Sequence, residues 1–395
     1  MKTRNLIGTA SAVMISAVAV TTAPGAIASA AEVAPGAPMR MQTDAYEDEP
    51  IDIPLEIQAT GGCSQGVPGT VTLPDGTTKN VLVSAGHCLY GIEGDGTETY
   101  PEVYAPLYDE HGLIAQREHG EKVYPAEDSL NAEQLAVQYN GADWATAEIP
   151  EGVEATRVAD SVDQYGRRHG EPVELTGVRD YRDLGPWEVS FDNFGQPICK
   201  DGQTSGRTCG VQVLRTSNGL WHTALSLPGD SGGVNFDPNN GEALGVTSMG
   251  FYGFGGRAQP IDVAIEEVYG IPDGEVNEHF TLPESTQLHT PMYTLEEESQ
   301  RKAQWAEENL PEEMTVPEEP LTLEDAQIVA EVNFEAGVGE ARLQTQDAVN
   351  TLSQDPTQVG TVVESAIEGT QRIGGLVEQT AEVYEAALQN SLTES

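Results

Sequence analysis

Short runs of β-branched and aromatic residues, each ended by Gly, Asp or Asn, dominate the chain between about residues 59 and 271. Examples are GTVTLPDGTTKNVLVSAG, WEVSFDNFG, GVQVLRTSNGLWHTALSL and GEALGVTSMG. Such runs are typical of strands, and the Asp-Gly pair inside TLPDGTTK is a strong hairpin signal. Many short strands with regular turn signals predict an all-β barrel or sandwich. One helix-like segment, PIDVAIEEVYG, closes this region.

The first 30 residues have the order of an export signal. Two basic residues precede an apolar run, LIGTASAVMISAVAV, and small residues at A-x-A spacing follow it. This order predicts a signal peptide, residues 1–30, cleaved after Ala28 or Ala30; the run is short for a membrane anchor. We therefore expect a secreted, extracellular protein with no transmembrane segment after cleavage.

Three further segments differ in composition from the strand-rich region. Residues 31–58 are rich in Pro, Ala and acids and are predicted to be a leader or short propeptide. Residues 272–320 have the Pro- and Glu-rich composition of an acidic linker. Residues 321–395 are predicted to be helical, because apolar residues three or four apart form a stripe on one face. The stripe comprises Val359, Val362, Val363, Ala366, Ile367, Ile373, Val377, Ala381, Tyr384 and Leu388. It must pack on itself, on the β-rich region or on an unknown partner, and a helical hairpin is the simplest outcome.

Charge and cysteine content exclude several classes of function. The net charge is −45, from 64 acidic and 19 basic residues, which argues against a nucleic-acid partner because phosphates need Lys and Arg. Four cysteines in an exported chain indicate two disulfides, and their spacing does not suit zinc. Scattered carboxylates do not supply a calcium loop, so no metal and no cofactor is predicted. The sequence leaves three pairings open for Cys63, Cys88, Cys199 and Cys209.

Ser231 lies in LPGDSGG, which is either a tight turn or the setting of a nucleophile. A serine hydroxyl becomes nucleophilic when a base takes its proton and an acid orients that base. His87 in VLVSAGHCLY and Asp143 in GADWATAEI both lie at strand ends and are the candidates. Asp160 and Asp163 are alternatives to Asp143, but neither leads an apolar alternation. The remaining histidines are predicted to lie at the surface: His111, His119, His169, His222, His279 and His289.

The three motifs together resemble those of chymotrypsin-like serine peptidases. SAGHC, DWATAEI and GDSGG occur in that family's order, and CKDGQTSGRTCG resembles a disulfide-closed loop of its bacterial streptogrisin-like branch. The resemblance covers roughly residues 59–271. It implies two six-stranded β-barrels with a catalytic cleft between them. It also implies a secreted endopeptidase that hydrolyses protein or peptide substrates through an acyl-enzyme.

The resemblance also implies a role for each motif residue. Ser231 is the expected nucleophile, His87 the general base and then acid, and Asp143 the group that orients His87. The backbone N–H groups of Gly229 and Ser231 are expected to form the oxyanion hole. The strand expected to pair with the substrate backbone contributes Ser248, Met249 and Gly250.

Further pairings and the specificity follow from the same resemblance. In the animal enzymes of the family, the ammonium of a newly freed N-terminus pairs with the acid before the nucleophile. No such apolar start precedes Cys63, so Asp230 is expected to pair with Lys200 instead. Residues 223–225 are the expected floor of the primary pocket and carry no charge, which favours cleavage after apolar or aromatic residues. Arg257 on the far wall would instead favour an acidic side chain. The disulfides implied are Cys63–Cys88 and Cys199–Cys209.

A second reading belongs to another class of function. The β-rich region could be catalytically silent, with the acidic helical tail binding a cell-surface or secreted partner. The presence of all three triad groups argues against this reading. Labelling by a serine-directed probe separates the two.

Overall fold

A computed structural model describes residues 32–44, 53–58, 61–92, 98–121, 139–251, 255–310, 323–354 and 356–393. The predicted signal peptide, residues 1–30, lies outside these ranges. The strands of the described residues are β1 Pro38–Thr43, β2 Gly61–Ser64, β3 Val67–Thr72, β4 Thr78–Ser84, β5 Thr99–Pro106, β6 His111–Gly120, β7 Ala145–Glu148, β8 Val158–Ala159, β9 Val173–Glu174, β10 Gly177–Val178, β11 Pro197–Lys200, β12 Thr208–Thr216, β13 Gly219–His222, β14 Val234–Phe236, β15 Glu242–Gly250, β16 Gly256–Pro260 and β17 Phe280–Thr281. The helices are α1 Gly86–Tyr90, α2 Ile261–Tyr269, α3 Val276–His279, α4 Leu295–Asn309, α5 Leu323–Gln354 and α6 Val359–Thr393.

The first sheet has eight strands in the order β17-β3-β4-β7-β6-β5-β1-β2. The hairpin between β3 and β4 turns at Asp75 and Gly76, as the sequence predicts, and Gly76 takes a φ of +84° that favours glycine. The carboxyl end of β4 pairs with the start of β7, where Ser84 lies opposite Ala145. Residues just outside these two ends are therefore neighbours, and His87 and Asp143 occupy those positions.

The second sheet contains a closed six-stranded barrel. Strands β11, β12, β13, β16, β15 and β14 pair in a ring, because β15 pairs with β16 and β14 pairs with β11. Strand β10 adds to β15 in parallel. The prediction of a strand-rich region is confirmed, with one of its two expected barrels closed by strand pairing. In the described part of the first sheet, the outer strands β17 and β2 do not pair with each other.

Part of the predicted leader belongs to the first sheet. Strand β1 lies between β2 and β5, and its Met39 and Met41 side chains are buried in the core. Residues 38–43 of the segment predicted to be a leader or short propeptide therefore form a strand of this sheet. Composition concealed the strand, because Pro and Ala dominate around the short alternation PMRMQT.

The predicted linker is also folded where the structure describes it. Helix α4 begins with a capping box in which Thr294 and Glu297 satisfy each other's backbone N–H groups. Its Glu298 is buried and accepts hydrogen bonds from Arg40 of β1, with Nε and Oε2 3.0 Å apart. Within the predicted linker, residues 295–309 therefore form a helix that a buried ion pair attaches to β1, although the composition of the segment is that of solvated chain. Residues 311–320 lie outside the described ranges.

The C-terminal region forms a hairpin of two long helices, as predicted. Helices α5 and α6 pack along each other, and α5 also contacts the segment between strands β13 and β14 of the closed barrel. The predicted apolar stripe is only partly covered, since several of its members are about half exposed: Val359, Val363, Ile367, Val377 and Leu388. Ile373 and Ala381 instead face α5 across a groove of about 640 Å³. Within the described residues, no helix has both the length and the hydropathy needed to cross a bilayer.

Candidate active site

His87 is held in place at three points. It follows β4 directly, and the adjacent Cys88 is bonded to Cys63 of β2. Its backbone N–H donates to Asp143 Oδ1 at 2.9 Å, and its Nδ1 lies 2.9 Å from Asp143 Oδ2. With Nδ1 bound to a carboxylate, the neutral ring carries its proton there and leaves Nε2 as an acceptor.

Asp143 has further partners that the sequence motifs do not reveal. Ser248 Oγ donates to Asp143 Oδ2 at 2.5 Å, and Gln259 Oε1 accepts from the Asp143 N–H at 3.0 Å. Arg257 Nη2 donates to Ser248 Oγ at 3.1 Å and to the carbonyl of Gly141 at 2.8 Å. Three of these four contacts join residues more than a hundred positions apart, so no local pattern could have predicted them.

The pKa values of Asp143 and His87 are shifted in opposite directions. Burial alone raises the pKa of Asp143, but the His87 charge and hydrogen bonds from His87 and Ser248 outweigh it and hold that pKa far below its ordinary value. Burial lowers the pKa of His87, while the Asp143 carboxylate more than compensates and raises it. Asp143 therefore stays ionised, and His87 can gain and lose a proton.

The other two candidate acids lie elsewhere. Asp160 forms an ion pair with Arg168. Asp163 pairs with Arg167 at 2.6 Å and with His169 at 3.0 Å. Neither contacts His87, which leaves Asp143 as its acid partner.

Ser231 lies on a glycine-rich loop between β13 and β14, residues 227–233, which we call the serine loop. The Ser231 carbonyl accepts from the Ser64 N–H at 2.7 Å, and Ser64 follows the disulfide-bonded Cys63. The loop is thus attached to the strand that is cross-linked beside His87. The structure brings His87 and Asp143 into contact, whereas no hydrogen bond joins Ser231 Oγ to His87 within the described residues.

Backbone geometry leaves two donors unused on the serine loop. Gly229 takes a φ of +93°, and a side chain there would collide with Thr204 Oγ1. The N–H groups of Asp230, Gly232 and Gly233 all donate to backbone carbonyls. Among the described residues, the N–H groups of Gly229 and Ser231 have no acceptor within the protein. Two free donors beside a serine hydroxyl can stabilise an oxyanion.

The expected Lys200–Asp230 ion pair is present, and both side chains are fully buried. Lys200 Nζ lies 2.7 Å from Asp230 Oδ2. The same carboxylate accepts from Ser205 Oγ at 2.6 Å and from the N–H groups of Thr204 and Leu227 at 3.0 and 2.9 Å. This network fixes the residue immediately before Ser231. Both expected disulfides, Cys63–Cys88 and Cys199–Cys209, are also present.

The predicted substrate strand is the end of β15. Met249 pairs with Arg257 and Gly250 with Gly256, and the ladder is irregular between Thr247 and Met249, at Ser248. The Arg257 side chain is buried, and its guanidinium donates to Ser248 Oγ.

The prediction that six histidines lie at the surface is wrong for three of them. His111, His169 and His222 are buried. Burial and the Lys200 charge lower the pKa of His222 to about 3, so it is neutral at physiological pH. Polar flanking residues in the sequence do not reveal burial of this kind, because the covering segments come from distant parts of the chain.

Comparison with known proteins gives similarity to solved structures of bacterial proteases. No protein-family model matches the chain, and no curated protein matches it. The structure is similar to the Nocardiopsis protease NAPase, with 19% identity over 64% of this chain and 98% of that one and a TM-score of 0.35. It is similar to Thermobifida fusca protease A, with 18% identity over 64% and 99% of the two chains and a TM-score of 0.36. A Cellulomonas bogoriensis chymotrypsin shares 22% identity over 53% and 88%, with a TM-score of 0.30. Identities and TM-scores this low say nothing about substrate or mechanism.

Proposed function

We propose that this protein is a secreted serine endopeptidase with Ser231 as its nucleophile. The observation that carries the proposal is the buried Asp143 carboxylate bound to His87 Nδ1 at 2.9 Å, next to a serine loop with two unused N–H donors. A carboxylate bound to Nδ1 fixes the ring proton on that nitrogen and leaves Nε2 to accept the proton of the serine hydroxyl. This is the arrangement that activates a serine. The two disulfides and the similarity to bacterial proteases are consistent with an extracellular location.

In the proposed reaction, Ser231 Oγ attacks the scissile carbonyl as His87 Nε2 takes the hydroxyl proton. The carbonyl oxygen becomes an oxyanion and accepts hydrogen bonds from the N–H groups of Gly229 and Ser231. His87 then gives its proton to the leaving amine, and an acyl-enzyme forms. Water, deprotonated by His87, attacks the ester and releases the acid product and the Ser231 hydroxyl. Asp143 stays ionised and stabilises the imidazolium in both steps.

We propose that the catalytic cleft lies between the closed barrel and the first sheet, which would be the second barrel of the fold. The end of β15, residues 248–250, would add the substrate as an extra strand. Ala224 and Leu225, both buried and uncharged, favour an apolar or aromatic side chain in the primary pocket.

Hydrolysis of a mixed peptide library by the purified full-length protein tests the proposal. We expect cleavage after apolar or aromatic residues, abolished in Ser231→Ala and in His87→Ala. Ser299→Ala, on the exposed face of α4, is a matched control and should cleave like wild type. Wild-type protein without activity, or a Ser231→Ala variant with full activity, would contradict the proposal. Cleavage mainly after Arg or Lys would overturn the specificity alone.

The silent binding protein remains the second candidate, and one observation favours it. The half-exposed apolar residues of α6 form a surface of the kind used in protein association. Under this reading the wild-type protein shows no cleavage, so the same library experiment distinguishes the two.

A further inference from the structure

Carboxylates converge where α2 meets two loops, far along the chain from the motifs of the candidate active site. Asp180, Glu266 and Asp273 have carboxylate oxygens that all lie within 4.8 Å of one another. Asp262 lies one helical turn before Glu266 on α2. Asp183 is the fifth acid of this acidic cluster. Its backbone N–H donates to Asp273 Oδ2 at 3.3 Å.

Two members of the acidic cluster are buried without full hydrogen bonding. Glu266 is 8% exposed, and neither of its carboxylate oxygens has a hydrogen-bond partner. Asp262 is 0% exposed; its Oδ2 accepts from the Tyr181 N–H at 2.6 Å, and its Oδ1 has no partner. A buried carboxylate with unpaired oxygens is strongly unfavourable unless a cation compensates it.

The basic side chains of the neighbourhood are committed to other acids. Arg179 pairs with Asp237 and Glu242, and Arg182 pairs with Glu188. Arg215 pairs with Asp192, on the far side of Tyr181. Among the described residues, none of the five cluster acids forms an ion pair. Within the described part of the chain, the cluster therefore has no ion-paired counter-charge.

The pKa values express the same imbalance. Burial raises the pKa of Asp262 to about 7, with Asp180 adding to the shift, while the Tyr181 N–H and Arg215 oppose it. Burial raises the pKa of Glu266 to about 8, and its four acidic neighbours add to the shift.

We propose that Asp180, Glu266 and Asp273 bind a divalent cation of the calcium class. The donors are all hard carboxylate oxygens, with no nitrogen or sulfur, which suits calcium rather than zinc or copper. The three acids come from three different segments, so a shared ion would tie α2 to the loops around residues 180 and 273. Helix α2 packs on β15 and β16, so the ion would stabilise the closed barrel.

Thermal unfolding of the full-length protein, in EDTA and in excess CaCl₂, tests this proposal. Wild-type protein should unfold several degrees higher in CaCl₂ than in EDTA. Glu266→Gln should lose this response and, in EDTA, should unfold at a higher temperature than wild type, because the folded protein no longer has to keep a buried carboxyl group protonated. Glu278→Gln, an exposed acid on α3, should respond to CaCl₂ like wild type. No rise in the wild type, or an equal rise in Glu266→Gln, would overturn the proposal.

A different observation concerns α5, which packs directly on the segment leading into the serine loop. Leu343 is buried in a cluster with Leu225 and Leu227. Arg342 Nη2 donates to the Thr223 carbonyl at 2.8 Å. A side chain at Gly339 would lie 2.9 Å from Leu227 Cδ1, so glycine permits this close approach.

Ion pairs anchor the same helix to the segment between β8 and β9. His169 bridges two carboxylates, with Nδ1 2.8 Å from Asp347 of α5 and Nε2 3.0 Å from Asp163. Glu340 of α5 pairs with Arg167 at 3.2 Å. The helix is therefore fixed on both its apolar and its charged side.

These contacts extend to the residue before the nucleophile. The Leu227 N–H donates to Asp230 Oδ2, and Asp230 precedes Ser231. We infer that Arg342 and Leu343 are positioning residues that hold residues 223–227 in the conformation needed for catalysis. This inference rests on the proposed peptidase function, and it makes the C-terminal hairpin a support of the active site rather than an inhibitor.

Steady-state kinetics on the full-length protein test the inference. Leu343→Ala should lower kcat about ten- to hundredfold with little change in KM, since a displaced serine loop misaligns the reacting groups. Leu343→Met should restore most of kcat because it refills the volume. Val349→Ala, an exposed truncation on the same helix, should leave kcat unchanged. An active wild type with unchanged or higher kcat in Leu343→Ala would overturn this inference alone, whereas an inactive wild type removes the proposed function and this inference with it.

Discussion

Asp230 and Asp262 are both fully buried carboxylates, and their surroundings are opposites. Asp230 lies 2.7 Å from Lys200 Nζ and accepts from a hydroxyl and three backbone N–H groups. Asp262 Oδ2 accepts a hydrogen bond from the Tyr181 N–H, and Oδ1 has no hydrogen-bond partner among the described residues. The protein supplies the counter-charge where it must fix the serine loop. At α2 it does not, and that difference is what points to a bound cation.

Asp143 is an intermediate case between these two. It receives hydrogen bonds from Ser248 and His87, but its full counter-charge arises only when His87 is protonated. Such a carboxylate stabilises a charge that appears during the proposed reaction rather than one present throughout. The comparison therefore separates a structural use of buried acid from the proposed catalytic and cation-binding uses.

Removing the counter-charge of Asp230 should have the largest effect. Lys200→Met leaves a buried unpaired carboxylate, so we expect a loss of about 3–5 kcal/mol in the free energy of unfolding. Activity should fall at least about a hundredfold because the serine loop loses its anchor. Urea unfolding and peptide hydrolysis measure the two effects. The double variant Lys200→Met/Asp230→Asn should recover much of the stability, and a single variant equal to wild type would rule out the anchoring role.

Removing a hydrogen bond from Asp143, so that it has fewer partners, as Asp262 has, should have the next largest effect. Ser248→Ala removes a hydrogen bond to a buried charged group, for which about 1.5–3 kcal/mol is typical. We expect kcat/KM to fall about ten- to hundredfold, with the loss mainly in kcat. Ser248→Thr keeps the hydroxyl and is the matched control. Equal losses in both variants would show that packing, not the hydrogen bond, is responsible.

Removing the charge of Asp262 should stabilise the protein, whereas removing the counter-charge of Asp230 should destabilise it. In EDTA at pH 8, Asp262→Asn should raise the free energy of unfolding by about 1–2 kcal/mol. Folding raises the pKa of this acid from 3.8 to about 7, so the unfolded chain releases its proton first as the pH rises. Wild-type stability should therefore fall between pH 4 and 7 in EDTA, and the variant should show a shallower fall. A destabilised Asp262→Asn protein would contradict the comparison.

The smallest expected effect is on the attachment of the helical hairpin. Burial lowers the pKa of His169, but the hydrogen bonds to Asp163 and Asp347 raise it to about 9. Stability from this bridge is complete below the ordinary pKa of 6.5 and is lost as the pH rises through about 9. Wild-type protein should lose more stability than His169→Gln between pH 7 and pH 10. Parallel melting curves for the two proteins would remove the bridge from the account.

Local motifs predicted the parts of the molecule that depend on local chemistry. The Asp75–Gly76 turn, the His87–Asp143 contact and the Lys200–Asp230 pair all follow from short strings whose partners are fixed by the fold they resemble. Both disulfides agree with the resemblance as well.

The parts that the sequence did not predict all depend on contacts between distant segments. Arg40 and Glu298 are 258 positions apart, so neither β1 nor α4 could be recognised from composition. Ser248 was assigned to substrate binding, yet its hydroxyl reaches Asp143 across 105 positions. The acidic cluster likewise looks like scattered surface charge until the fold gathers it.

Labelling of the full-length protein with a fluorophosphonate, followed by mass spectrometry of the labelled peptide, tests the central claim most directly. The account predicts a covalent adduct on Ser231 that is lost in Ser231→Ala and strongly reduced in His87→Ala. An adduct on another serine, or labelling that is unchanged in His87→Ala, would contradict the claim that His87 and Asp143 activate Ser231.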